Sequence, residues 1–186
     1  MKNQATHPIQ VLWETERLII REWNPALDAA EAFWIYGDRE VMHFIREPEP
    51  DQAAVQKNLE DRVKKYRPLN NGTGCWAIVE KATQIPIGTI LLVQLPDSHG
   101  HLTQDYEIGW HLRRDRWEKG YATEAARKIL DYGFQTLKLP IIYAVVRPDN
   151  AASIRVTQRL GMEPVGLTSK YYGLELALFQ LSNPQS

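Results

Sequence analysis

A single glycine, Gly120, separates a cluster of charged residues from the start of a helical pattern in the segment WEKGYATEA, residues 117–125. Main-chain N–H groups in the first turn of a helix have no partners inside the helix and lie at the positive end of its dipole. An anion such as a pyrophosphate accepts hydrogen bonds from such groups. Because glycine permits close approach of a ligand and unusual backbone angles, the spacing is compatible with a phosphate-binding turn.

Two interpretations of this turn are open on spacing alone. In one, Gly120 only permits a chain reversal, and the nearby basic side chains form a solvated surface. In the other, four basic residues add a local positive field to a phosphate site: Arg113, Arg114, Arg116 and Lys119. Other phosphate loops are disfavoured, because the sequence contains neither G-x-x-x-x-G-K-[ST] nor G-x-G-x-x-G after a strand.

The composition predicts a single globular domain spanning residues 1–186. With 44% hydrophobic and 24% charged residues, the chain is ordinary for such a domain and long enough to bury a core. The formal net charge of −1 gives no global argument for a nucleic-acid or membrane partner. A single cysteine, Cys75, excludes an internal disulfide, and residues 1–10 lack the apolar core of a secretory signal. We therefore expect a cytoplasmic protein.

Hydrophobic periodicity predicts strands and helices that would position the turn. The predicted strands are 17–23, 75–81, 87–95, 103–113 and 141–146, with a last pair in 163–172 and 174–182; the predicted helices are 26–37, 38–45, 51–66, 122–137 and 151–161. The run Ile141–Val146 is nearly all apolar, as in a buried central strand. The order predicts an α/β mixed sheet flanked by helices, with a right-handed crossover from Tyr106 to Val146.

Two blocks carry a family resemblance: residues 106–130 (YEIGWHLRRDRWEKGYATEAARKIL) and 146–166 (VRPDNAASIRVTQRLGMEPVG). They resemble the GCN5-related N-acetyltransferases (GNAT), and most of all the RimJ/RimL-like branch of ribosomal-protein N-terminal acetyltransferases. The likeness covers the whole chain, since TERLIIREW resembles the family's first strand and CWAIVEKATQIPIGTI its second and third. It implies a GNAT-like fold with a mixed, mostly antiparallel sheet splayed between strands 4 and 5. It also implies acetyl-CoA as cosubstrate and no metal.

The resemblance implies cofactor contacts in three places. The family's Q/R-x-x-G-x-G/A loop, whose main-chain N–H groups hold the pyrophosphate, matches Trp117, Glu118, Lys119, Gly120, Tyr121 and Ala122. The end of the preceding strand is expected to offer main-chain hydrogen bonds to the pantetheine arm at His111, Leu112 and Arg113. Asn150 matches an asparagine that contacts the cofactor arm, and Ser153 matches a serine within reach of the thioester sulfur.

Two residues depart from the family's pattern. Glu118 stands where many relatives have glycine, and Arg114 stands where many have proline. A carboxylate beside a pyrophosphate is unfavourable unless its side chain points outward or pairs with Lys119. Because main-chain binding survives a side-chain change, the departure bears on affinity more than on function.

Acetyl transfer to an amine requires a neutral nucleophile, a polarised thioester carbonyl and a proton for the leaving thiolate. Glu107 is the predicted general base, because the corresponding strand supplies one in many relatives; a solvated or ion-paired carboxylate is the alternative. His111 shares its face of the strand and is the second candidate. Ser153 is the predicted proton donor to the thiolate, with Tyr143 as the alternative.

The predicted acceptor is a primary amine, either a peptide N-terminus or a small molecule. Six ring-bearing residues fall where relatives build the acceptor groove: Trp23, Phe33, Trp34, Tyr36, His43 and Phe44. We expect most of them to lie in the core. The segment SKYYGLEL, residues 169–176, is a candidate for the opposite wall. An acidic cleft would favour polyamines, and a neutral aromatic one would favour peptides. The alternative functions are a non-catalytic CoA-binding module and an antibiotic or polyamine acetyltransferase. The resemblance also makes a homodimer possible, because the family often dimerises, although no feature of the sequence demands it.

Overall fold

The computed structural model describes residues 11–184. Residues 1–10, on which the prediction about a secretory signal falls, and residues 185–186 lie outside this range. The strands are β1 Val11–Glu14, β2 Leu18–Arg21, β3 Gly74–Glu80, β4 Ile85–Pro96, β5 Leu102–Leu112, β6 Ile141–Val146, β7 Glu163–Thr168 and β8 Leu176–Ser182. The α-helices are α1 Pro25–Tyr36, α2 Arg39–Met42, α3 Gln52–Tyr66, α4 Tyr121–Gln135 and α5 Ala151–Arg159. No helix among the described residues is long and apolar enough to span a membrane.

The eight strands form one sheet in the order β1-β2-β3-β4-β5-β6-β8-β7. All neighbouring strands are antiparallel except β5 and β6, which are parallel. This confirms the predicted mixed, mostly antiparallel sheet. The periodicity missed β1, a short strand with no buried residue that pairs only with β2. The predicted fourth and fifth strands are therefore β5 and β6.

The pairing of β5 and β6 is restricted to one register position, Glu107 opposite Tyr143. On its other edge, β5 pairs with β4 along almost its whole length, from Gly88↔Leu112 to Pro96↔Leu102. The half of β5 that runs toward α4 therefore has one edge without a strand partner. This is the splay that the family resemblance implies.

Two hydrophobic cores cover the two faces of the sheet. On one face, α4 packs its apolar side against strand residues such as Ile108 and Leu112 of β5. On the other face, α1 and α3 pack against Ala77 and Val79 of β3. Side chains alternate between the two faces along a strand. The even-numbered residues of β5 from Ile108 to Leu112 therefore enter the α4 core, whereas Glu107 and His111 face α1 and α3.

Polar residues fix where the helices of this second face begin. Asn24 caps α1 by accepting a hydrogen bond from the Leu27 N–H (3.2 Å), and Asp51 does the same for α3. A buried pair, Arg21 Nη1 to Asp28 Oδ2 (2.7 Å) and Nη2 to Oδ1 (2.9 Å), joins α1 to β2. Bidentate geometry in a buried setting is strongly orienting, so α1 has a defined position over the sheet.

Candidate active site

The turn between β5 and α4 contains two residues in the left-handed backbone region. Gly120 has a φ of 80° and Glu118 a φ of 60°. Gly120 immediately precedes α4, and no side chain caps the helix there. Within residues 11–184, no atom accepts a hydrogen bond from the main-chain N–H groups of residues 118–123. These groups are available to an anion at the positive end of the helix dipole.

Glu118 lies in a backbone region that favours glycine, the residue that the resemblance implies at this position. A non-glycine residue in the left-handed region costs roughly 1 kcal/mol. The side chain of Glu118 is exposed and forms no ion pair with Lys119 or any other described residue. The carboxylate therefore lies in solvent, where water and salt screen its repulsion of a bound phosphate.

Arg17, which precedes β2, connects this turn to the start of α4. Its Nη1 donates to the Lys119 carbonyl (3.0 Å), and its Nε donates to Glu124 (2.7 Å). Thr15 Oγ1 also donates to Glu124 (2.6 Å), and the Arg17 guanidinium lies over the Tyr121 ring. The sequence analysis missed Arg17 and Glu124 because they are 107 positions apart. No local pattern indicates such a pair.

The arginines near the turn are largely neutralised by carboxylates. The ion pairs are Arg113 with Glu31 (2.7 Å), Arg114 with Asp38 (3.6 Å) and Arg116 with Asp115 (2.7 Å). The local positive field expected from these three arginines is therefore compensated. Lys119 is exposed and has no ion pair among the described residues. Attraction for an anion at this turn comes mainly from the main chain and Lys119.

The free edge of β5 presents main-chain groups of alternate residues to the gap beside β6. The Arg113 N–H donates to the Ile87 carbonyl of β4 (2.9 Å), and by the alternation of an antiparallel ladder His111 also directs its main-chain groups to β4. Leu112 and Trp110 consequently direct theirs to the gap. The Leu112 carbonyl accepts from Trp117 Nε1 (2.9 Å). Of the three residues expected to bind pantetheine, only Leu112 has its main chain facing the gap.

Asn150 and Ser153 lie across the gap, where α5 begins after β6. Asn150 is the N-cap of α5, and its Oδ1 accepts a hydrogen bond from the Ser153 N–H (3.1 Å). The amide nitrogen of Asn150 and the hydroxyl of Ser153 have no partner within the described chain. Both groups are therefore available to a ligand in the gap.

Glu107 is buried, with 7% of its surface exposed, and its only hydrogen-bond donor among the described residues is the hydroxyl of Tyr172. Burial raises the pKa of Glu107 to about 7, although the hydrogen bond from Tyr172 acts in the opposite direction. No cation pairs with this carboxyl in the described chain, so the ion-pair alternative for Glu107 fails. A carboxyl with a pKa near neutrality can accept a proton at physiological pH.

The loop between β7 and β8 supplies Tyr172 and is fixed against β5. Lys170 Nζ and the Tyr171 hydroxyl both donate to Asp105 Oδ2 at 2.7 Å. Tyr172 has a φ of 58°, which is unusual for a bulky residue. This loop falls in the segment 169–176, which the sequence analysis named as a candidate wall. The pairing of Tyr172 with Glu107 was not predicted.

His111, the second candidate base, lies on the same face in a different setting. Its Nε2 is 3.4 Å from the Tyr36 hydroxyl, which in turn shares a hydrogen bond with Thr89 (2.6 Å). Burial, and then the charges of Arg62 and Arg46, lower the pKa of His111 to about 3. An imidazole with so low a pKa stays neutral at physiological pH and is a weak base.

The aromatic set divides between core and surface. Trp23 and Tyr36 are buried, as expected for most of the set, whereas Trp34 is 61% exposed. Phe33 and Phe44 are partly buried, and His43 is exposed. No group of three or more His, Cys, Asp or Glu side chains in the described range is arranged to hold a metal ion.

Comparisons with known proteins found similar sequences and similar folds. The family model described as Acetyltransferase (GNAT) domain matches residues 17–163. The uncharacterized N-acetyltransferase YnaD of Bacillus subtilis (strain 168) is 33% identical over 160 residues, covering 84% of this chain and 85% of the relative. The crystal structure of a GNAT-family acetyltransferase from Bacillus anthracis superposes with a TM-score of 0.72 at 25% identity, covering 94% of this chain and 98% of that one. The ribosomal-protein-S5-alanine acetyltransferase from Vibrio fischeri shares the fold with a TM-score of 0.71 at 19% identity, covering 94% and 98%.

Proposed function

The chain belongs to the GNAT acetyltransferase family, and from that premise we propose that it transfers the acetyl group of acetyl-CoA to a primary amine by direct transfer in a ternary complex. Acetyl-CoA, the general cosubstrate of the family, supplies the activated acyl group as a thioester. The acceptor is the amine of a peptide N-terminus or of a small molecule. The narrower assignment to the RimJ/RimL-like branch is part of the proposal and rests on the resemblance of the two central sequence blocks.

In the proposed complex, the pyrophosphate accepts hydrogen bonds from the N–H groups of residues 118–123. The pantetheine arm then follows the free edge of β5 from Leu112 toward Ile108. At a rise of about 3.4 Å per residue, these four steps span about 14 Å. That length brings the thioester from the turn to the neighbourhood of Glu107. Asn150 and Ser153 face the arm from the opposite side of the gap.

Glu107 is the proposed general base. Its carboxylate accepts a proton from the acceptor ammonium, directly or through water, and the neutral amine attacks the thioester carbonyl carbon. The new C–N bond forms as the C–S bond breaks, and the thiolate takes a proton from Ser153 or from Tyr143. A base with a pKa of about 7 is close to the pKa of an α-amino group, near 8, so the proton transfer is nearly balanced in free energy.

The observation that carries this proposal is the buried carboxyl of Glu107, which has no cationic partner among the described residues and lies at the one register position where β5 pairs with β6. A protein that only bound CoA would need the turn but not this carboxyl. A buried carboxyl without a cationic partner costs folding free energy, which favours a chemical role over a structural one. The non-catalytic module is therefore the weaker candidate.

The test combines turnover with cofactor binding. Purified protein is incubated with acetyl-CoA and a panel of N-terminal peptides and small amines, and free CoA thiol is measured with a chromogenic reagent. We expect thiol release that depends on both substrates and that falls by at least about 100-fold in Glu107→Gln, as for loss of a general base. Acetyl-CoA should still raise the melting temperature of that variant. Binding without turnover on any amine would favour the CoA-binding module instead.

A further inference from the structure

Arg62 of α3 is a largely enclosed cation without a carboxylate partner. Its Nε donates to Asn58 Oδ1 (2.8 Å), its Nη1 lies 3.0 Å from the Cys75 sulfur, and its guanidinium lies 4.8 Å from the Tyr36 ring centre. Its Nη2 has no acceptor in the described chain. By contrast, Arg21 on the same side of the sheet is paired with Asp28. Enclosed charges are normally paired, so Arg62 is an exception that needs an explanation.

The position of Arg62 follows from the register of the sheet. Cys75 of β3 lies opposite Leu91 of β4, and Leu91 lies opposite Gly109 of β5. Glu107 is two residues from Gly109 on the same face. Two strand spacings and two residue steps separate the α-carbons of Cys75 and Glu107 by about 12 Å. The Cys75 side chain that Arg62 contacts and the proposed base therefore lie on the same face of the sheet, two strands apart.

Tyr66, one helical turn after Arg62, lies on the same side of α3 and is partly buried. Burial is the main cause that raises the pKa of Tyr66 to about 12. Between Cys75 and Glu107 on this face, the partly exposed side chain of Leu91 lies over Gly109. This face of the sheet thus carries a buried carboxyl on β5 and, two strands away, a largely enclosed cation with an aromatic neighbour on the same helix.

We propose that Arg62 binds an anionic group of the acceptor, so that the substrate class is amines that carry a carboxylate several bonds away from the reacting nitrogen. This inference rests on the proposed function, because it places the reacting amine at Glu107. The unoccupied donors of Arg62 match the planar geometry of a carboxylate. A second cation, Arg46, adds to the positive potential near His111, and its own carboxylate partner is Glu49 (2.8 Å). A diamine or polyamine would bring a second ammonium toward these cations and be repelled.

The experiment compares three acceptors of equal length that differ only at the far end: aminohexanoate, aminohexanol and diaminohexane. With the full chain and saturating acetyl-CoA, kcat/KM should be highest for the carboxylate, lower for the alcohol by about tenfold, and lowest for the diamine per reacting amine. In Arg62→Gln, the advantage of the carboxylate over the alcohol should disappear, and in Arg62→Lys part of it should return. Arg67→Gln, on the exposed end of the same helix where Arg67 pairs with Glu22, is the matched control and should keep the wild-type order.

The outcomes separate this inference from the proposed function. If the wild type acetylates all three amines equally, or prefers the diamine, the anion subsite is refuted while amine acetylation stands. If Arg62→Gln folds with a normal melting temperature and keeps the carboxylate preference, Arg62 serves only to contact Cys75 and Asn58, and the inference is wrong. If no amine of any kind releases CoA, the proposed function and the inference fail together.

Discussion

Replacing Glu107 by glutamine should make the unfolding free energy of the protein less dependent on pH. Glu107 is buried and its pKa is raised from 4.5 to about 7 in the folded state. The carboxyl is therefore protonated in the folded chain at a pH where it is already ionised in the unfolded chain. Glutamine has nearly the same shape and cannot ionise, so the substitution removes the titration with little change in packing.

The sign follows from proton linkage. A group whose folded pKa lies above its unfolded pKa contributes stability that is complete below the unfolded pKa and is lost as the pH rises through the folded pKa. For Glu107 the window is from about 4.5 to about 7. At about 1.36 kcal/mol per pKa unit, the total is about 3 kcal/mol, most of it lost between pH 5 and pH 8. The Glu107→Gln variant should gain about this amount relative to the wild type over that range.

The assay is urea unfolding of both proteins at pH 5 and pH 8, followed by tryptophan fluorescence, and it requires no knowledge of the acceptor. Asp105→Asn is the matched control on the same strand. Hydrogen bonds from Lys170 and Tyr171 hold the pKa of Asp105 below its usual value, so that carboxyl is ionised in both states throughout this range. Asp105→Asn should therefore destabilise the protein equally at the two pH values.

A stability difference between wild type and Glu107→Gln that stays constant from pH 5 to pH 8 would refute the reasoning. It would mean that the carboxyl is hydrated or ion-paired in solution and has no raised pKa. A difference of the opposite sign would mean that the folded protein stabilises the carboxylate, and Glu107 would then be a poor candidate for a base at neutral pH.

Three further predictions address the cofactor turn and the loop over the base. Tyr172→Phe removes the hydrogen bond that lowers the pKa of Glu107, so the rising limb of the pH profile of kcat/KM should move to higher pH; an unchanged limb would exclude Tyr172 from tuning the base. Gly120→Glu should abolish the rise in melting temperature caused by acetyl-CoA, whereas Gly161→Glu, with an equally left-handed φ of 76° but no ligand nearby, should keep it. Glu118→Gly should relieve backbone strain of about 1 kcal/mol and lower the Kd for acetyl-CoA a few-fold at low salt. A gain in affinity over the wild type that is equal at low and high salt would contradict a charge effect.

The elements that the sequence predicted well are those in which one periodicity dominates. The helical face from Ala122 onward and the apolar run Ile141–Val146 correspond to α4 and β6 within a few residues. The short strand β1 was missed because its four residues carry no clear alternation and lie at the edge of the sheet. The second predicted helix, 38–45, is shorter in the structure, where it begins after the N-cap Asp38 and spans Arg39–Met42.

The candidate site shows the same division between local and non-local information. The turn at Gly120 was predictable because its signal, a glycine before a helix, lies in adjacent residues. The contacts of Glu107 with Tyr172 and of Arg17 with Glu124 join residues 65 and 107 positions apart. Such pairs depend on which strand edges meet, and one sequence without an alignment does not contain that information.

The arrangement of β5 explains how one strand can serve three purposes at once. Its even-numbered side chains, such as Ile108, are held in the α4 core, which fixes the strand. Its odd-numbered side chains, Glu107 among them, are then directed to the side of α1 and α3, where burial without a cation raises the pKa of Glu107, the proposed base. Its edge has no strand partner beyond Glu107 and leaves main-chain groups available to the proposed cofactor arm. These three surfaces are geometrically distinct, and Arg62 lies on the side that Glu107 faces. A substitution at Arg62 should therefore change the choice of acceptor without changing the binding of acetyl-CoA. Equal acetyl-CoA affinities in the wild type and Arg62→Gln would agree with this separation.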